Sequence, residues 1–229
     1  MQLRTLALAL LASSGVLAAC GGDDVTGTNA NNATVQFINA TAVSLDVAQG
    51  GTVATGNGAL SYGTTSLCIA TDASNSNLAV RQTGTSTALA GFTPAFQAGG
   101  NYSVIAYPGA PGVIQFATVS NAFTAAAGQG GLRAFNGAGA GSSYDIYVST
   151  PGAASATAVA NNVGYGSGSS YFNVVAGSAQ QVRITNAGSQ TVVLDVGSRT
   201  FTAGQNVTLV IAPPVTGSPS PRAFFVTGC

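Results

Sequence analysis

Few residue types able to do chemistry occur in this chain. Its 229 residues include no Lys, Glu, His or Trp, and only 5% are charged. Without His there is no Ser-His-Asp triad and no base for a cysteine nucleophile, and without Lys there is no Ser-Lys dyad. Glycoside hydrolysis needs two carboxylates close across a cleft, but Asp46, Asp72, Asp145 and Asp195 each stand without a second acid beside them. We therefore predict that the protein is not an enzyme and has no catalytic, cofactor-binding or metal site.

Cys20 ends a segment with the parts of a secretory signal. Arg4 gives a charged start, residues 6–19 are apolar, and Leu17-Ala18-Ala19-Cys20 places small residues before the cysteine. The tetrapeptide resembles the lipobox of bacterial lipoproteins, which implies that residues 1–19 are removed and Cys20 is lipidated. The alternatives are a transmembrane helix, for which the apolar run ends too early, and an ordinary signal peptide with an incidental cysteine.

The lipobox resemblance implies a place in the cell envelope. More than one lipid chain at Cys20 would anchor the protein stably to a membrane. Gly21 stands where an aspartate would resemble an inner-membrane retention signal, which favours the outer membrane, at its periplasmic face or at the cell surface. Residues 20–33 are polar and glycine-rich, typical of a flexible tether. The neutral net charge gives no electrostatic footprint for nucleic acid.

Two of the three cysteines remain once Cys20 is set apart as the lipidated residue. An even pair in an oxidising compartment is expected to bridge, so we predict a disulfide between Cys68 and Cys229. The chain-entropy model gives roughly 5 kcal/mol of stabilisation for so long a loop. The alternative is two unpaired thiols.

Short runs of Val, Ile, Thr, Tyr and Phe between glycine-rich turns predict an all-β fold. In the first half, strands are predicted at 34–39, 44–47, 66–70, 78–83, 87–91, 101–107 and 113–119. Residues 121–130 are rich in Ala and Gly and are predicted to link two units.

The same plan then repeats about a hundred residues later. The matched segments are 132–137 with 35–40, 144–148 with 44–47, Tyr165-Gly166 with Tyr62-Gly63, 181–183 with 79–81, and 201–211 with 96–106. A period this long indicates tandem domains rather than a solenoid. We predict a first β-sandwich at 34–120 and a second at 131–229.

These repeated features also resemble a known family. An opening strand ending in Asn39-Ala40, an Asp-containing strand, Tyr62-Gly63 and a closing Ala-Gly-x-x-Tyr-x-Val are similar to the bacterial domain of unknown function 4397. The first copy departs at 70–73, where the family has a Pro-Ala-Gly-like turn. The resemblance implies an immunoglobulin-like β architecture in an exported or surface lipoprotein, and it implies no reaction. We therefore predict two tandem immunoglobulin-like antiparallel β-sandwich domains, each of about seven strands.

Charged residues recur at equivalent places in the two repeats. Asp46 matches Asp145, and Arg81 matches Arg183. Strand alternation puts each of them opposite the core side chains, so we predict ion pairs Asp46–Arg81 and Asp145–Arg183 on an outer sheet face. An exposed pair contributes only about 0–1 kcal/mol. The alternative is a ligand-binding role.

Two further patterns have both a binding and a structural interpretation. The seven tyrosines would suit a sugar-stacking platform, but strand residues with half-buried rings are the interpretation we favour. Gly164-Tyr165-Gly166-Ser167-Gly168 resembles a phosphate loop but has no following Lys or helix, so a turn is predicted.

Function is predicted from location and from what is missing. The first hypothesis is a non-enzymatic exported lipoprotein of the cell envelope with a structural, adhesive or assembly role. The second is a ligand-binding module that captures glycan or peptide for a partner enzyme or transporter. The expected partners are the membrane, through the lipid anchor, and an envelope protein or glycan. An exposed aromatic cluster would favour the second hypothesis, and a surface covered by Ser and Thr the first.

Overall fold

The computed structural model describes residues 31–54, 56–92, 95–153, 157–215, 217–218 and 220–229. Within these ranges the regular elements are all strands, which confirms the all-β fold class. The strands are β1 Asn32–Asn39, β2 Leu45–Gln49, β3 Thr52–Val53, β4 Ile69–Asp72, β5 Leu78–Gln82, β6 Asn101–Pro108, β7 Ile114–Ser120, β8 Gln129–Asn136, β9 Ser143–Ser149, β10 Ala160–Gly164, β11 Ser167–Gly168, β12 Phe172–Val175, β13 Ala179–Asn186, β14 Val192–Thr200, β15 Asn206–Ala212 and β16 Arg222–Thr227. The predicted signal peptide and Cys20 lie outside the described residues, and β1 begins inside the predicted tether.

Two predicted strand positions differ from the structure. Residues 87–91 form only an isolated bridge, between Ala88 and Arg81, because Gly91 takes a φ of 87° and turns the chain. The strand predicted at 66–70 starts at Ile69 instead. There the Ser66 hydroxyl accepts a hydrogen bond from the Phe37 N–H, so a side chain takes the place of a strand bond.

Each repeat contains a smaller and a larger sheet. In the first repeat the strand orders are β3-β2-β5 and β4-β1-β6-β7, and in the second they are β10-β9-β13-β14 and β11-β8-β15-β16, with β12 also on β8. The pairing is antiparallel as predicted, except that β1 runs parallel to β6 and β8 runs parallel to β15. These two pairs are joined by long connections through the smaller sheet, which allows parallel pairing.

The sheets stack in four layers with three apolar cores. Strand side chains alternate between faces, so Val35 and Phe37 of β1 enter the core of the first sandwich, while Ile38 faces the second repeat. Phe135 of β8 packs in the same inter-repeat core, and Leu132 enters the core of the second sandwich. The two larger sheets therefore lie face to face and are covered on both sides.

Candidate functional site

Asp46 holds two loops against the outer face of the smaller sheet of the first repeat, where it is only 8% exposed. Its Oδ1 accepts hydrogen bonds from the Ala59 N–H at 2.6 Å and from the Thr83 hydroxyl at 2.9 Å. The Ala59 bond, helped by the Thr83 bond, lowers the pKa of Asp46 below its usual value, although burial acts in the opposite direction. The carboxylate is thus bound by its own fold.

Asp145 makes equivalent contacts in the second repeat. Its Oδ1 accepts from the Asn162 N–H at 2.7 Å, and its Oδ2 accepts from the Gly188 N–H at 2.9 Å. Ala59 and Asn162 are the two described non-glycine residues with positive φ, at 51° and 52°. Such backbone costs on the order of 1–3 kcal/mol and persists only where surrounding contacts hold it. The recurrence of Asp at these places therefore has a structural reason.

Two buried asparagines bond to the same two backbone segments, which contain Ala59 and Asn162. Asn39 and Asn136 are both 0% exposed. The Asn39 Nδ2 donates to the Leu60 carbonyl at 2.7 Å, and the Asn136 Nδ2 donates to the Val163 carbonyl at 3.0 Å. Leu60 and Val163 directly follow the two positive-φ residues. The Asn–Asp loop clamp, made by Asn39 with Asp46 and repeated by Asn136 with Asp145, thus explains why Asn and Asp recur at these places.

The predicted ion pair between Asp145 and Arg183 is wrong. Arg183 lies opposite Tyr147 on β9, and Asp145 lies opposite Thr185 on β13. On its other side Arg183 lies opposite Asp195 of β14, and its Nε comes within 3.6 Å of the Asp195 Oδ2. This is the ion pair that the described residues contain within 4 Å, and the Asp195 side chain is 46% exposed.

Asp46 and Arg81 do lie opposite each other on β2 and β5, as predicted. Arg81 also lowers the pKa of Asp46, but less than the Ala59 and Thr83 bonds do. The expected exposed ion pair is instead a buried carboxylate bonded to loops, while the Arg81 Nε is buried without a hydrogen bond.

The other two described acids also bond locally. The Asp72 Oδ1 accepts from the Ser74 N–H at 2.8 Å and from the Ser74 hydroxyl at 2.7 Å, in the turn after β4. Asp195 accepts from the Gln181 side chain at 2.7 Å and from the Gly197 N–H at 2.9 Å. Neither has a second carboxylate as a partner, so they form no general acid–base pair.

Arg133 lies at the polar part of the interface between the larger sheets and is only 4% exposed. Its Nε donates to the Thr208 hydroxyl at 2.9 Å, and its Nη1 and Nη2 donate at 2.6 Å to the Ser120 carbonyl and the Asn121 Oδ1. Its guanidinium also lies 4.6 Å from the Tyr171 ring centroid. Burial lowers the pKa of Arg133. This cation joins the second repeat to the end of the first, and the sequence interpretation missed it.

The linker is bonded into the body of the protein. The Asn206 Nδ2 donates to the carbonyls of Asn121 and Phe123 at 3.0 and 2.8 Å. The Phe123 ring stacks on Tyr171 at 5.1 Å between centroids. The segment predicted as a bridge is therefore ordered against the second repeat, and it ends at Gln129 where β8 begins.

The predicted disulfide between Cys68 and Cys229 is confirmed. It joins residues 161 apart in sequence, with their Cα atoms 6.0 Å apart. The bond ties the residue beyond β16 to the segment that precedes β4, so it connects the two repeats a second time.

The tyrosines do not form an exposed platform. Tyr102, Tyr107, Tyr144 and Tyr147 are buried, and the other three are partly buried. None of the aromatic residues, all of which lie in the described ranges, is exposed. The Gly-rich segment at 164–168 forms a turn between β10 and β11, as predicted.

No protein-family model matches the chain, and no curated protein matches it either. Across the described ranges there is no helix long and apolar enough to cross a membrane. The same residues contain no group of three or more Cys, Asp, Glu or His side chains placed to hold a metal ion. Cys20 lies outside the described ranges, so its lipidation remains a prediction.

Proposed function

We propose that the protein is a non-enzymatic exported lipoprotein of the bacterial cell envelope, anchored through Cys20 at the outer membrane, with a structural, adhesive or assembly role. The observation that carries the proposal is how the described Asp side chains are hydrogen-bonded. Each described Asp accepts hydrogen bonds from its own fold, as the contacts of Asp46, Asp72, Asp145 and Asp195 show. In a chain without His, Lys or Glu, this leaves the described residues no evident acid–base pair.

The connection between the repeats supports the structural role. A shared apolar core, the buried Arg133 and the disulfide all join the two sandwiches. Domains linked only by a flexible chain would move independently. These connections favour a single rigid spacer, with the tether entering at β1.

We also propose that both repeats belong to the family of domain of unknown function 4397. The Asn–Asp loop clamp supports this, because the motif residues Asn39 and Asn136 make matching bonds in both copies. The Tyr-Gly pairs also match, since the N–H of Gly63 donates to Asn39 and that of Gly166 donates to Asn136, at 2.8 and 2.7 Å.

One groove favours the second candidate function, capture of a glycan or peptide. It has a volume of ≈ 250 Å³ and is lined by Ala42, Tyr62, Pro213, Pro214 and Val215. The Tyr62 hydroxyl donates to the Pro213 carbonyl at 2.7 Å, so the ring is held in place. Aromatic and proline surfaces suit sugar rings and extended peptides.

Lipid labelling followed by protease treatment of intact cells tests the anchor and its side. We expect labelled palmitate to enter the wild type and the Cys68→Ser Cys229→Ser control, but not Cys20→Ala. Label that persists in Cys20→Ala, or that never enters the wild type, would contradict the lipoprotein proposal. Cleavage of the wild type from outside would favour adhesion, and protection until the outer membrane is opened would favour assembly in the periplasm.

A further inference from the structure

Strand β7 forms one edge of the larger sheet in the first repeat. It pairs with β6 alone, in a continuous antiparallel register. The register runs from Tyr102 opposite Ser120 to Pro108 opposite Ile114 without a bulge. Because no bulge interrupts the register, the free side of β7 can pair with another strand along its whole length.

The outward hydrogen-bonding groups of β7 can be identified from the ladder. The Asn121 N–H donates to the Asn101 carbonyl, and bonded residues alternate along an antiparallel pair. The N–H and C=O groups of Ile114, Phe116 and Thr118 consequently point away from β6. No described residue bonds to them. They form a row of unpaired donors and acceptors along the edge.

Apart from the Ser120 carbonyl at its end, which accepts a hydrogen bond from Arg133, this edge also lacks the usual protection. Natural sheets guard free edges with charges, prolines or bulges. Other edges here have them: β14 carries Asp195 and two register shifts, β10 has a register shift, β4 ends in Asp72, and β16 begins with Arg222. From residue 112 to residue 120 the chain contains neither a charge nor a proline.

A groove of mixed polarity runs beside the same edge. It has a volume of ≈ 430 Å³, and its lining includes Gly91, Val113, Ile114 and Phe116. Val113 is 51% exposed, while Ile114 and Phe116 are partly buried. An added strand would cover these side chains and bond to the free backbone, which is the mode of strand addition at sheet edges.

We propose that β7 pairs with β7 of a second copy, antiparallel about a two-fold axis at Phe116, so that the two larger sheets become one continuous sheet. A two-fold interface uses the same patch on both molecules. In this register Phe116 faces its own copy and Ile114 faces Thr118, so every outward N–H meets an outward carbonyl. The absence of charge lets identical edges meet without repulsion, whereas a charged partner strand would lose solvation in the groove.

The orientation has a consequence that rests on the proposed lipid anchor. Antiparallel pairing of β7 reverses one molecule relative to the other, and β1 runs antiparallel to β7 through β6. The two β1 strands, which the predicted tethers precede, therefore begin at opposite ends of the dimer. This geometry joins copies on two facing membranes, which is an adhesive arrangement.

Sedimentation of residues 21–229, which contain all described strands and the disulfide, tests the pairing without lipid. Over about 1 μM to 1 mM we expect concentration-dependent dimers for the wild type and for Thr118→Ala. Thr118→Pro removes an outward N–H that no hydrogen bond to β6 uses. We expect it to raise the dimer dissociation constant about tenfold or more, which corresponds to about 1.4 kcal/mol. A wild type that stays monomeric, or a Thr118→Pro variant that dimerises equally well, would overturn the proposal. If Thr118→Pro does not fold, Thr118→Lys replaces it as the edge-blocking variant.

Cross-linking tests the register. Opposed residues of a bonded antiparallel pair lie about 5.5 Å apart at Cα, within disulfide reach. A mixture of Ile114→Cys and Thr118→Cys molecules should cross-link between the two variants, and neither variant should cross-link alone. Self-cross-linking of Thr118→Cys would overturn the stated register. Lipidated protein should also aggregate vesicles; dimers in solution without vesicle aggregation would leave the edge pairing intact and count against the facing-membrane arrangement.

Discussion

Replacing both bridged cysteines, Cys68→Ser with Cys229→Ser, should lower the free energy of unfolding by roughly 5 kcal/mol. The bond spans 161 residues, and the entropy that it removes from the unfolded chain grows with the logarithm of that length. The folded state should persist, because Phe224 and Val226 hold β16 in the inter-repeat core without the bond. The variant is therefore less stable because its unfolded chain has more conformational entropy, not because its folded state is altered.

Urea unfolding followed by circular dichroism and by tyrosine fluorescence measures this effect. With a slope of about 3 kcal/mol/M, the midpoint should fall by about 1.7 M. Each single Ser variant is a matched control and should behave like the double variant, since either one removes the bond. A thiol titration of the wild type checks that the bond has formed. A double-variant midpoint within about 0.3 M of such a wild type would refute the reasoning.

Two further perturbations test the buried charges. Asp46→Asn should cost on the order of 1 kcal/mol at pH 7. Folding lowers the pKa of Asp46. Its carboxylate therefore stabilises the fold fully at a pH above its pKa in the unfolded chain, which is about 3.9. This stabilisation is lost as the pH falls through the lower pKa of the folded state. The difference in thermal midpoint between wild type and variant should thus narrow as the pH falls below about 3.9, and a pH-independent difference would contradict it. Arg133→Ala should lower the free energy of unfolding by about 3 kcal/mol, because Ser120 and Thr208 lose their buried hydrogen-bond donor. The exposed Arg222→Ala control should stay within about 0.5 kcal/mol, and equal losses would contradict the assignment.

The all-β fold and the disulfide were predictable because their signals are local or arithmetic. Alternating apolar residues and glycine-rich turns identify strands without knowledge of their partners. The pairing of Cys68 with Cys229 needed only an even count after Cys20 was set apart. The partner of Arg183 was not predictable in this way, because it depends on the alignment of β13 with β14, and that register shifts twice along the pair.

The packing of one repeat on the other leaves a signal in the sequence of the strands. Phe37 and Ile38 are adjacent in β1, and both are buried, on opposite faces. Strands covered on both faces have nearly continuous apolar sequences. Leu209 and Val210 of β15 show the same pattern. Strand β8 is also covered on both faces, by the cores that contain Leu132 and Phe135. A single cation in such a strand, here Arg133, indicates a buried and hydrogen-bonded side chain rather than an exposed one.

The inter-repeat interface is nearly symmetric, and its asymmetry follows from the linker. Gln36 and Arg133 occupy equivalent places, opposite Ser103 on β6 and Thr208 on β15. Arg133 bonds to the chain where β7 passes into the linker, at Asn121, while the Gln36 Oε1 is buried without a hydrogen bond. Only one of the two equivalent positions can meet the linker in a chain that has one linker. Arginine therefore suits position 133 alone, and a separated first repeat would expose both the face around Gln36 and the carbonyl that Arg133 binds. We infer that the two repeats are stable as one unit rather than as two independent domains.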